Sequence, residues 1–206
     1  MNKPLFAALV ALTSMGPLWG APTTFDFKDP KGVNAIRFHL DSVLEPISGT
    51  ASGVSGTVVF DPSNPAATKG KISVATKSLV VPNATMTEHL LSQGWLASET
   101  HPEITFELSE LVDVKTTGSE TSAKAKGKLT LKGVTKEITV PVKLTLLPNA
   151  FGKRMNKPEL PGDLLVIRGD FSILRADFGI QPGKNEDKVS TEIKLSLGIV
   201  GGPARS

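Results

Sequence analysis

Between Gly127 and Lys143 apolar and polar residues alternate on both sides of a Lys132-Gly133 turn. Leu129, Leu131, Ile138, Val140 and Val142 share one face, while Lys128, Thr130, Glu137, Thr139 and Lys143 share the other. A period of two on both arms of a glycine turn predicts a β-hairpin with one dry and one wet face. The pattern recurs: Ile36, Phe38 and Leu40 alternate with Arg37, His39 and Asp41, and Ile104, Phe106 and Leu108 alternate with Thr105, Glu107 and Ser109. Gly53 to Phe60 and Lys71 to Val81 read as a second hairpin, joined by the turn-forming run Asp61-Pro62-Ser63-Asn64-Pro65. Leu165 to Ile173 and Val189 to Ile199 are two further long strands. Thr85-Met86-Thr87-Glu88 has the spacing of a capping box, with Met86, Leu90 and Leu91 on one helical face up to Gly94, which predicts one short helix.

About eight half-buried strands with a single helical insert give an all-β fold, and an eight-stranded antiparallel barrel suits that number. Its interior either is filled by side chains or holds one small ligand. Ala123, Ala125 and Gly127 point to the buried side, with Lys124, Lys126 and Lys128 opposite. Small inward residues leave room for bulky neighbours or for a cavity, and the pattern alone does not choose between them. The longest segment without a strand pattern runs from Leu147 to Asp163. It carries Pro148, Pro158, Pro161 and the basic residues Lys153, Arg154 and Lys157, and is expected to be irregular.

Composition narrows the context. Lys3 precedes an apolar run from Leu5 to Leu12, then Gly16, Pro17, Gly20 and Ala21, the pattern of a secretory signal peptide over residues 1–21. The run is too short to span a bilayer, so no stable membrane insertion is expected. One mature domain follows over 22–206, since no linker divides it. With no cysteine, an exported chain of this size relies on its apolar core. The net charge of +3, with no Tyr and only 9 Phe and 2 Trp, gives neither the field nor the stacking surface of a nucleic-acid binder. The three histidines, His39, His89 and His101, lack zinc-ligand spacing. There is also no nucleophile elbow and no phosphate loop, so no catalytic residue, metal or required cofactor is assigned.

Five pieces carry a resemblance. Gly56-Thr57-Val58-Val59-Phe60-Asp61-Pro62, Glu88-His89-Leu90, Pro102-Glu103-Ile104-Thr105-Phe106, Leu129-Thr130-Leu131-Lys132-Gly133-Val134-Thr135-Lys136 and Arg175-Ala176-Asp177-Phe178-Gly179 occur in the order and spacing of the YceI family. From about Phe25 to Val200 the chain resembles that family. The resemblance implies a periplasmic, lipocalin-like barrel enclosing an amphiphile with an isoprenoid tail, such as a polyprenyl phosphate or a quinone. It implies no enzymatic activity and leaves a homodimer open. The chain departs from the family at Asp29-Pro30-Lys31-Gly32-Val33-Asn34 and at Gly94-Trp95-Leu96.

A prenyl tail has no hydrogen-bonding groups, so aliphatic walls suffice to hold it. The wall candidates are Phe38, Leu40, Phe106, Leu108, Ala125, Leu129, Leu131, Val140, Val142, Ile167 and Phe171, with Leu91 and Trp95 as a lid. Lys153, Arg154 and Lys157 are the cations expected to meet a polar head group. Arg175 and Asp177 read as an ion pair or a turn clamp. The alternatives are a filled-barrel stress or structural protein and a lipid-acting hydrolase.

Overall fold

The computed structural model describes residues 21–204. The expected signal peptide lies outside the described residues except for its last position. Eleven strand segments form one antiparallel sheet: β1 (Thr23–Asp26), β2 (Ala35–Asp41), β3 (Pro46–Ala51), β4 (Val54–Phe60), β5 (Lys69–Ala75), β6 (Leu79–Val80), β7 (Glu103–Thr117), β8 (Glu120–Leu131), β9 (Val134–Leu147), β10 (Leu164–Leu174) and β11 (Glu192–Pro203). They amount to eight walls of a closed barrel. The order β1-β4-β5-β7-β8-β9-β10-β11 returns to β1, while β2, β3 and β6 continue the broken walls begun by β1, β4 and β5.

The chemistry of the breaks explains why the ring survives them. Between β1 and β2 the buried Asn34 side chain takes the place of the missing strand. Its Nδ2 donates to the carbonyls of Phe27 and Val200, both at 3.0 Å, and its Oδ1 accepts from Val200 N at 2.9 Å. Between β5 and β6 the buried Thr76 donates its hydroxyl to His101 O at 2.7 Å, and its N–H reaches Pro102 O at 2.8 Å. The central hairpin forms as the pattern predicts. Lys132 and Gly133 both have positive φ, 51° and 75°, the geometry of a two-residue turn whose twist matches the strands it joins.

Three local expectations are corrected. Helix α1 (Ala84–Leu91) begins earlier than the Thr85 box, because the Asn83 side chain accepts from Met86 N at 2.9 Å and is as good a cap as Thr. The irregular segment begins only after β9 ends at Leu147, and it contains helix α2 (Phe151–Met155), stopped by Asn156 at φ 56°. Strands β1 and β3 have no counterpart in the alternation, being short and Thr-, Ser- or Gly-containing, and the strand expected over Lys71 to Val81 is split into β5 and β6 by a 3-10 turn at Thr76–Ser78.

The two ends of the barrel differ. At the α2 end Phe25, Phe27, Phe60 and Leu165, all nearly inaccessible, form an apolar plug. At the other end lie α1, the Lys132 turn and a 3-10 turn, Arg175–Phe178, that follows β10. Replacing Asn34 by Ala should cost about 2–4 kcal/mol, because three buried backbone groups lose their only stand-in partner. The measurement is the urea midpoint at constant m-value.

Candidate functional site

Inside the ring is an apolar hollow of about 220 Å³. It exceeds the roughly 150 Å³ engineered cavity that stays dry and takes up benzene. Among its lining residues only Thr68 is polar, and that hydroxyl is spent on Pro65 O. Inward positions of six walls supply most of the surface: Phe38 and Leu40 of β2, Phe106 and Leu108 of β7, Ala125, Leu129 and Leu131 of β8, Val140 and Val142 of β9, Ile167 and Phe171 of β10, and Leu195 and Leu197 of β11. Strict alternation puts these side chains in and their charged neighbours out.

The apolar residues named from the pattern all border the hollow except Leu91. The helix turns Leu90 to the cavity instead, and Leu91 packs beside it. Trp95 and Leu96 complete the cover. This cover is fastened by backbone bonds from Leu96 N to Leu90 O (3.1 Å) and Ser98 N to Leu91 O (3.1 Å), and by the Gln181 Nε2 bond to Gly94 O (2.7 Å). Sequence reasoning missed Ile72, Ile138, Ile173, Ile180 and Ile193, which also border the hollow. Ile138 was placed on the apolar face, and its turn toward the cavity follows from the same period of two.

The small inward residues divide between the two explanations. A Cβ on Gly127 would come within 2.6 Å of the Phe106 ring and closer still to Glu107 O, so this glycine makes room for an aromatic neighbour. Ala125 instead borders the hollow, and a larger side chain there would project into it.

The basic cluster lies elsewhere. Lys153, Arg154 and Lys157 belong to α2 and the turn after it, beyond the phenylalanine plug, and none borders the hollow. Lys153 and Lys157 are solvated. Arg154 Nη2 sits 2.8 Å from Asp29 Oδ1, a nearly buried carboxylate that also accepts from the backbone N–H groups of Lys31 (3.0 Å), Val33 (2.8 Å) and Asn34 (3.1 Å). Burial alone would raise the Asp29 pKa, but these N–H groups and the guanidinium outweigh it and hold the carboxyl below its ordinary 3.8. Asp29 therefore ties the β1–β2 crossover to α2.

Arg175 is a turn clamp and not half of an ion pair. It is 1% exposed, and its guanidinium donates only to backbone carbonyls: Nε to Ser190 (3.0 Å), Nη1 to Ile180 (3.0 Å) and Gln181, and Nη2 to Lys184 (2.6 Å) and Val189 (3.5 Å). With all five N–H groups engaged, it has none left for a ligand. The histidines are dispersed. His39 pairs with Asp41 at 2.7 Å on the outer face, and no histidine borders the hollow. Among the described residues no three of His, Cys, Asp and Glu gather as a metal-binding group, and no helix is long and apolar enough to cross a membrane.

The YceI-like domain model matches residues 29–200. The chain belongs to the YceI-like family. A relative from Pseudomonas aeruginosa strain LESB58, called UPF0312 protein, is 36% identical over 147 residues, spanning 70% of this chain and 74% of its own. Protein YceI of Escherichia coli O157:H7 is 34% identical over 128 residues, 61% of this chain and 64% of its own. Among solved structures, Burkholderia cenocepacia BcnA superposes with a TM-score of 0.65 at 22% identity, covering 81% of this chain and 95% of that one. A polyisoprenoid binding domain from Saccharophagus degradans superposes with a TM-score of 0.64 at 10% identity, covering 89% and 100%. The YceI-like barrel is thus the fold of this chain, with the hollow inside it.

Asp29 sets a pH dependence. A carboxyl whose folded pKa is depressed stabilises the fold at pH values above its unfolded value of 3.8, and that contribution is lost as pH falls through the lower folded value. Acid unfolding of Asp29→Asn should accordingly show a shallower loss of stability below about pH 4 than the parent. Denaturant midpoints between neutral pH and pH 3 would show it.

Proposed function

We propose that this protein binds an amphiphilic isoprenoid-type lipid, a polyprenyl phosphate or an isoprenoid quinone, with its tail in the barrel, and sequesters or carries it through an aqueous compartment. One observation carries the reading: the hollow is enclosed by side chains of which only Thr68 is polar, so it offers hydrocarbon contact and nothing that would hold water or a charge. Membership in the YceI-like family and the likeness in fold to a domain described as polyisoprenoid-binding support it. Burying some 400 Å² of tail at about 25 cal/mol per Å² gives on the order of 10 kcal/mol before association costs, enough for micromolar binding or better.

The role is that of a binding protein. A lining that is apolar but for Thr68, whose hydroxyl is spent on Pro65 O, supports this reading. The amino-terminal pattern of Lys3, the Leu5 to Leu12 run and Ala21 supports export to the periplasm.

Native mass spectrometry with organic extraction of the purified protein tests the reading, and a copurifying prenyl lipid is the expected result. A protein that carries no lipid and takes up neither a polyprenyl phosphate nor a quinone would refute it. Ala125→Phe should weaken uptake at least tenfold by filling the hollow, with an unchanged far-ultraviolet spectrum and thermal midpoint within a few degrees.

A further inference from the structure

Both ends of the barrel carry apolar covers, and one wall has an incomplete ladder. The phenylalanine plug closes the α2 end, and Leu90, Trp95 and Leu96 cover the other. Strands β9 and β10 pair only from Leu147 with Leu164 to Lys143 with Arg168. Beyond that point β9 continues to Val134 and β10 to Leu174, each fully paired with its other neighbour, β8 or β11, and not with one another.

Pro141 accounts for where the ladder stops. It keeps its place opposite Lys124 of β8, so its nitrogen, which has no hydrogen, must face β10, where it has nothing to donate. The strands are still close here, since a Cβ on Gly169 would meet Pro141 O at 2.6 Å. Past this fork a crevice of about 380 Å³ opens on the outer surface between Lys136, Glu137 and Ile138 of β9 and Ser172, Ile173 and Leu174 of β10. Ile138 and Ile173 border both this crevice and the inner hollow, and the buried Phe178 ring of the 3-10 turn lines the crevice beside them. The open end of the slit is bridged by Lys132 Nζ, which donates to Gly179 O at 2.9 Å.

We propose that the slit between β9 and β10, gated by Ile138 and Ile173, is the lateral portal through which the lipid tail enters and leaves the hollow. The inference rests on the binding reading given above. Three residues of β10, Ser172 to Leu174, line the slit, a length of about 7 Å from first to last at the rise of an antiparallel strand. An extended tail can slide in sideways through such an opening, and its head group stays in the crevice. There Glu137, Asp177 and Glu192 outnumber Lys136, so the portal favours a neutral head, such as a quinone or an alcohol, over a phosphate.

The test is stopped-flow association of a farnesol derivative carrying a neutral fluorophore. Truncating the gate with Ile138→Ala and Ile173→Ala should raise the association rate severalfold, and so should Lys132→Met, a surface change that spares the barrel interior. The same truncation at Val74, across the barrel, should shorten residence without speeding arrival. Farnesyl phosphate should associate more slowly than the alcohol, and Glu137→Lys should narrow that gap.

If the gate and strap variants change only dissociation, the side chains are plain wall and the portal is refuted. A faster arrival in Trp95→Ala alone would also refute it, by placing the entrance under α1. Absence of any uptake by the parent protein would instead sink the binding reading itself, a result distinct from uptake whose rate ignores the slit.

Discussion

A sheet closed on itself fixes the distance between its own walls, and that constraint governs everything else in this molecule. Once eight strands are locked by ladder hydrogen bonds into a ring, the middle cannot collapse to eliminate a void as a pair of stacked sheets can. Whether the centre is solid then depends on side-chain volume. The Phe106 ring, lying over Gly127, fills its share of the interior, whereas Ala125 leaves its share empty. The hollow is therefore a consequence of ring size and a few small residues, with no polar group needed to hold it open.

Polar chemistry is concentrated where the strands stop. Asn34 spans the gap between β1 and β2, Thr76 the gap between β5 and β6, and Arg175 gathers the carbonyls of the long connection from β10 to β11. Each replaces ladder bonds that a regular strand would have made, which is why these polar residues are buried. Asp29 does the same for a turn of exposed N–H groups and adds a charge for Arg154 to meet. Arg175 lacks an acidic partner, and a fan of five carbonyl contacts disperses its charge.

The walls were legible in the sequence because a period of two survives any detail of packing. Phe38, Phe106, Leu129, Val140 and Phe171 could be placed on the inner face without knowing how the strands were ordered. The cover was only half legible, since Leu90 and Leu91 are adjacent and the rotation of a helix depends on its cap, which proved to be Asn83. The basic cluster on α2 was misleading for a reason of topology. Net charge in a loop is visible in a sequence, but which end of the barrel that loop closes depends on the parity of the strands before it. Pro141 stood in plain view inside the most regular hairpin of the chain, yet its effect falls on β10, a strand more than twenty residues away that the local pattern cannot reveal.

Three adjoining walls are interrupted at one level: the first between Asp26 and Ala35, the second between Ala51 and Val54, and the third between Ala75 and Leu79. Breaks aligned across neighbours make a crease, and the panel of β2, β3 and β6 is joined to the segments beyond it by only a few bonds, such as Ala75 N to Gly53 O at 2.9 Å. A tube creased on one flank turns its strands at that line, and the buried amide of Asn34 and hydroxyl of Thr76 keep the ring closed across the bend.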